Sequence, residues 1–123
     1  NPDIELMAVY NVSNELIPCY LNAADALLLT SKWEGSPNVI KEAMACNLPI
    51  VSTDVGDVKE VIGSTEGCYI CSYDPKVVAE KIKMALDFGK RTNGRERIIE
   101  LGLDADNIAK KIINVYDKVL ERS

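Results

Sequence analysis

Leu27 to Glu60 reads LLLTSKWEGSPNVIKEAMACNLPIVSTDVGDVKE, and this stretch decides the fold. Leu27-Leu28-Leu29-Thr30 is a short apolar run of the kind that a parallel strand covered on both faces requires. Ser36-Pro37 opens a helix, with a Ser N-cap and Pro at the first helical position, where no backbone N–H is missed. Val39, Ile40, Ala43 and Met44 are spaced for one buried face. Asn47 stands where the helix must stop in a left-handed turn, which Asn tolerates. Pro49 to Thr53 is the next strand, and Asp54-Val55-Gly56 the next turn.

The chemistry lies at the joint between the first strand and the helix. A loop that leaves the C-terminal end of a parallel strand and enters a helix presents unpaired N–H groups and the positive end of a dipole, which suit a phosphate. A capping box would consume some of those donors. Three residues after Ser36, however, stands Val39 and not Glu or Gln. Two carboxylates flank the joint, Glu34 in the loop and Glu42 on the second helical turn. Carboxylates repel phosphate, so they are better used to accept hydrogen bonds from neutral hydroxyls beside it. Phosphates on the helix end with hydroxyl acceptors on either side describe a receptor for a sugar nucleotide.

Glu34-Gly35 through Glu42, with seven residues between the glutamates and Ala-Met-Ala following, resembles the E-x(7)-E signature of retaining glycosyltransferases of the GT-B fold, the "glycosyl transferases group 1" family. The resemblance runs from about Ser13 to Tyr116 and takes in Tyr20 to Asp25, Pro49-Ile50-Val51, Val55-Gly56 and Glu60. It implies that Glu42 binds the nucleotide ribose and that Glu34 contacts the donor sugar as the catalytic carboxylate. It also implies that the backbone amides of Asn38, Val39 and Ile40 hold the diphosphate, with Gly35 and Ser36 in the same nucleotide-sugar-binding set. No metal and no cofactor are expected, since helix amides take the metal's place. Two departures stand out: Ser36-Pro37-Asn38 occupies the family's usual glycine-rich run, which alters the donor pocket, and Asn47 replaces a helix-ending Gly, physically a mild change.

With 123 residues, 47% hydrophobic and 27% charged, the chain supports one globular domain with a modest core. A net charge of -5 argues against a nucleic-acid grip or a basic membrane surface. No apolar run approaches the roughly 20 residues of a membrane span, and no signal peptide is visible, so a cytoplasmic location is expected. Cys68-Tyr69-Ile70-Cys71 has C-x-x-C spacing. In a strand, however, positions three apart point to opposite faces, there is no second such pair, and the chain has no histidine. Small buried side chains are the better reading of Cys19, Cys46, Cys68 and Cys71. The lack of His also removes Ser-His-Asp and Cys-His catalysis from this chain.

Elsewhere, Ile4 to Val9 is a strand candidate, and Ser13 caps a helix over about Glu15 to Ala23 whose first turn Pro18 disturbs. A short helix over Asp57 to Ile62 ends at Gly63, and Cys68 to Cys71 forms a strand. Asp74-Pro75 starts a helix striped by Val78, Ile82, Ala85 and Leu86 and ended by Gly89. Arg91 to Leu101 reads as a charged surface helix. A last helix, Asp106 to Leu120, is expected to bury Ile108, Ile112, Val115, Tyr116 and Val119 in core or interdomain packing. Trp33 reads as a loop anchor, Lys32 as a solvated cation at a strand end, and Gly56 as a positive-φ turn.

Strand–helix alternation with short connections predicts a doubly wound parallel α/β sheet, three layers deep, with ligands at the C-terminal strand ends. The resemblance makes it the Rossmann-like half of a GT-B fold, incomplete at its N-terminus. Residues 1–123 are then one partial donor-binding domain, without the N-terminal acceptor domain that would bring the acceptor glycan or lipid-linked sugar. A nucleotide-sugar donor is the expected partner. Nucleic acid and a transmembrane segment are not, while peripheral membrane association of the full protein stays open. The competing readings are a non-catalytic nucleotide-binding or interaction module, including a receiver-like domain, and the GT-B sugar-nucleotide epimerases, which lack this signature.

Overall fold

The computed structural model describes residues 4–7, 15–32 and 38–121, the side chain of residue 105 excepted. The elements are α1 (Ile17–Ala23), β1 (Leu27–Leu29), α2 (Asn38–Ala45), β2 (Ile50–Thr53), α3 (Val58–Ile62), β3 (Cys68–Cys71), α4 (Pro75–Phe88), α5 (Gly94–Glu100) and α6 (Ala105–Glu121). The three strands form a parallel sheet in the order β1-β2-β3. Leu27 pairs with Ile50 and Leu29 with Ser52, while Ile50 pairs with Cys68 and Thr53 with Cys71.

Parallel strands need crossovers, and α2 and α3 supply them. Both pack on one face of the sheet with α1 and α5, around a core of Leu21, Ile40, Ala43, Met44, Leu48, Ile50, Val58, Val61, Ile62 and Ile98. The opposite face carries α4, with Val51, Cys71 and Ala85 at its centre and Leu28, Tyr69, Val78 and Ile82 around them. Helices therefore cover both faces, and the α/β architecture read from the sequence is the one observed. Strand alternation sends Cys68 and Cys71 to opposite faces.

Local chemistry fixes the helix ends. Asp74 caps α4 by accepting from the Lys76 N–H at 3.0 Å, Pro75 opens the helix, and Gly89 closes it in the left-handed region. Asp104 accepts from the side chain and backbone N–H of Asn107, at 2.6 and 3.4 Å, and so starts α6. That hydrogen bonding holds the Asp104 carboxyl below its ordinary range.

Asn47 does more than its sequence position promised. Its φ of 57° ends α2 in a Schellman turn, with the Asn47 N–H donating to the Met44 carbonyl and the Leu48 N–H to that of Ala43. Its own carbonyl then accepts from the Thr92 N–H at 2.9 Å, and its side-chain Oδ1 accepts from the Arg95 N–H at 2.9 Å. One asparagine thus ends α2 and caps α5. The two helices meet so closely that a Cβ on Gly94 would lie 3.0 Å from the Met44 carbonyl oxygen. Arg91 braces the same corner, its guanidinium donating to the carbonyls of Leu21, Ala24 and Cys46 at 2.7 to 3.2 Å.

Several expectations are corrected. Ile4 to Met7 is not a strand, and Ile4, Leu6 and Met7 are exposed; residues 8 and 9 lie outside the described set. A short alternating run becomes a strand only against a partner, and the partner recorded for β1 is β2. The helix expected from Glu15 begins at Ile17, with Pro18 in its first turn; Ser13 lies outside the described residues. The helix expected from Arg91 begins at Gly94, because the Thr92 N–H is spent on Asn47 and the Thr92 hydroxyl accepts the Gly94 N–H. It is not merely a surface helix, since Ile98 is buried against α2 and α3. The α6 stripe is not part of this chain's core: Ile108, Ile112, Val115, Tyr116 and Val119 are all exposed. Helical periodicity marks a face that can be buried; nothing in the described residues covers this one.

The Asn47 geometry has a measurable consequence. Asn47→Gly keeps the left-handed turn but removes the Oδ1 cap, and is expected to destabilise the fold by roughly 0.5 kcal/mol in chemical denaturation. Asn47→Asp retains an acceptor at the α5 N-terminus and is expected to cost less.

Candidate functional site at the C-terminal edge of the sheet

Because β1 and β2 are parallel neighbours, the turns that follow them emerge side by side. Thr30, Ser31 and Lys32 follow β1; Asp54, Val55 and Gly56 follow β2; Ser72, Tyr73 and Asp74 follow β3. The β2 turn is tight. The Val55 N–H donates to the Thr53 carbonyl at 3.0 Å, Val55 is buried, and Gly56 has φ 52°, the positive value its sequence position called for.

The edge is tied together at one atom. The Ser31 carbonyl oxygen accepts the Thr53 hydroxyl at 2.8 Å and the Tyr73 hydroxyl, also at 2.8 Å. Lys32 holds its ammonium 5.8 Å from the centroid of the Tyr73 ring. Sequence reasoning passed over both hydroxyls. The polar pair Ser52-Thr53 ending an otherwise apolar buried strand was the available signal for one of them; Tyr73 carries no local signal at all.

Of the residues singled out from the sequence, Glu34, Gly35 and Ser36 lie outside the described residues, as do Trp33 and Pro37. Asn38, Val39, Ile40 and Glu42 lie in α2, which starts at this same edge because it follows β1. Ile40 is buried in the core, so only its backbone can face a ligand. The N–H groups of the first helical turn have no partner within the helix. Asn38 and Glu42 are exposed and one turn apart, which puts them on one strip of α2, away from the buried Ile40, Ala43 and Met44. Among the described residues, no side chain engages the Glu42 carboxylate in an ion pair.

Two concavities, of about 960 and 420 Å³, lie at the opposite edge of the sheet. The first runs between Ile4, Asp25 and the α4 residues Ile82 and Leu86, and the second between Ser64, Glu66, Phe88 and Thr92. Neither takes in Asn38, Val39, Ile40 or Glu42. Among the described residues, no group of three or more His, Cys, Asp or Glu is placed to hold a metal ion. No described helix is long and apolar enough to cross a membrane.

Comparison with known proteins points to one family. Residues 4–87 match the family model described as "Glycosyl transferases group 1". N-acetyl-alpha-D-glucosaminyl L-malate synthase of Bacillus anthracis is 33% identical over 80% of this chain and 26% of its own length. A lipopolysaccharide core biosynthesis mannosyltransferase of Rhizobium meliloti is 30% identical over 85% of the chain and 32% of its own. A capsular polysaccharide biosynthesis glycosyltransferase of Staphylococcus aureus is 29% identical over 100% of the chain and 33% of its own. The chain spans between 18% and 33% of the length of such relatives. No solved structure gives a significant match.

The four cysteines are free thiols, but the expectation of four buried side chains is corrected: Cys71 is buried, Cys46 and Cys68 are half-buried, and Cys19, on the outer face of α1, is exposed. Burial pushes the Cys68 thiol up to about 11, against a smaller opposing pull from a hydrogen bond with the Ile50 backbone. Burial raises Cys71 as well, with the Lys81 charge opposing it. A thiol whose folded pKa lies above its ordinary value favours the fold at pH below about 9 and ceases to do so as pH rises toward 11. At pH 8 a short iodoacetamide pulse is therefore expected to label exposed Cys19 and leave Cys68 unmodified until denaturant is added, read by peptide mass mapping.

Proposed function

We propose, from the premise that the chain belongs to the glycosyl transferases group 1 family, that it is the donor-binding part of a retaining glycosyltransferase. In this reading the whole enzyme, of which this chain is a part, moves a sugar from a nucleoside diphosphate to an acceptor hydroxyl. The observation that carries the proposal is the placing of α2. Its first turn starts at the C-terminal edge of a parallel sheet, beside the Asp54-Val55-Gly56 turn, with Asn38 and Glu42 on one exposed strip. That is where an open α/β sheet binds phosphorylated ligands.

The division of labour follows from charge. The N–H groups of Asn38, Val39 and Ile40, with Gly35 and Ser36 before them, hold the diphosphate at the positive end of the helix. Glu42, one turn further along, accepts hydrogen bonds from the ribose hydroxyls. Glu34 is assigned to the donor sugar. As the diphosphate departs it gains negative charge, and amides already aimed at it lower the barrier without reorganising. Positioning of the two substrates supplies the rest.

The relatives include lipopolysaccharide and capsule enzymes, which supports a role in polysaccharide or glycolipid synthesis. The acceptor, a glycan or a lipid-linked sugar, is assigned to a separate N-terminal domain outside these 123 residues. On this proposal the 123-residue chain binds a nucleoside diphosphate weakly and does not turn over.

Calorimetric titration with UDP, GDP and ADP tests it. Binding of one of them is expected, and Glu42→Ala is expected to weaken that binding by roughly tenfold or more, the effect of losing hydrogen bonds to a charged acceptor. A chain that binds none of the three, or a Glu42→Ala variant that binds as well as the parent, would point instead to a non-catalytic module on the same scaffold. Glycosyl transfer by the isolated chain would contradict the proposed need for a second domain.

A further inference from the structure

We infer that Tyr73 is a positioning residue for the donor, acting through the Ser31 carbonyl; the inference rests on the reading of this edge as the nucleotide-sugar site. Ser31 lies at the exit of β1, where the backbone leaves the sheet to cross toward α2. Its carbonyl oxygen has two lone pairs, and both are taken, by the hydroxyls of Thr53 and Tyr73 at 2.8 Å each. Thr53 is fully buried at the end of β2, so its hydroxyl has few other acceptors. Tyr73 is different. It stands two residues beyond β3, which does not neighbour β1, and its side chain reaches past the end of β2 to meet the Ser31 carbonyl.

Tyr73 is 49% exposed. A hydrogen bond of this kind supplies only a small share of the fold's stability, yet enough to shift a local equilibrium several-fold. What the bond does is bias a place. It favours one position of the Ser31 backbone at the exit of β1, and the Tyr73 ring meanwhile carries the Lys32 ammonium at the same edge. Binding by preorganised amides depends steeply on such placement, because a donor displaced by a fraction of an ångström loses both distance and angle.

Tyr73→Phe isolates the hydroxyl, since it keeps the ring under Lys32. The chain contains a single tryptophan, Trp33, two residues past Ser31, which gives a ligand-independent signal from the right place. The experiment compares parent and Tyr73→Phe by calorimetric titration with UDP, GDP and ADP, acrylamide quenching of Trp33 fluorescence, and thermal melting. Expected are an unchanged melting temperature, altered Trp33 quenching, and about three- to tenfold weaker binding of whichever nucleotide the parent binds. Equal affinity in parent and variant overturns the inference, as does a loss of affinity that merely tracks a lowered melting temperature. If the parent binds none of the three nucleotides, the donor-site reading itself fails and this inference falls with it. The two failures are therefore distinguishable.

Discussion

Strand β2 has no free surface. Ile50, Val51, Ser52 and Thr53 are all fully buried, with a strand on either side and helices over both faces. The rest of the molecule is disposed by the need to enclose it. Its two faces demand apolar cover, which α2 and α3 give on one side and α4 on the other. Its two edges demand parallel partners, and parallel partners can be joined only by crossovers. Those crossovers bring the ends of the strands to one edge and start α2 there. The geometry of the candidate site is thus a by-product of how the central strand is buried.

Much of this was legible in the residues because it is local. Asp74-Pro75 and Gly89 bracket α4, Gly56 and Gly63 take positive φ, and Asn47 ends α2, each through interactions spanning a few positions. The apolar run at Leu27–Leu29 and the buried Ile50–Thr53 follow from the same short-range reading. What escaped is long-range. The Tyr73 hydroxyl meets an oxygen 42 residues earlier, Arg91 reaches back as far as 70, and the Asn47 side chain finds an amide 48 residues on. No window of sequence contains both ends of such a bond.

The failures have the same origin. Ile4 to Met7 was expected in a strand and forms none, and the helical stripe of α6 is not covered by this chain's own core. A pattern reports which side chains share a face; burial requires something to put against that face. At the candidate site, the E-x(7)-E spacing pointed to α2, and the described structure places Asn38, Val39, Ile40 and Glu42 in that helix, with its first turn at the C-terminal edge of the sheet. The roles of Glu34, Gly35 and Ser36 rest on the family pattern and the charge argument.

The double service of Asn47 also imposes an order on assembly. The last turn of α2 and the first turn of α5 share one residue, yet almost fifty positions separate them, with two strands and two helices between. During synthesis the side-chain oxygen must wait until the amide of Arg95 has left the ribosome, so the corner where these helices cross closes late. Closure of a loop that long is opposed by chain entropy until the intervening strands and helices have shortened it. The small asparagine thus joins two helices that the chain brings together across the strands and helices made between them.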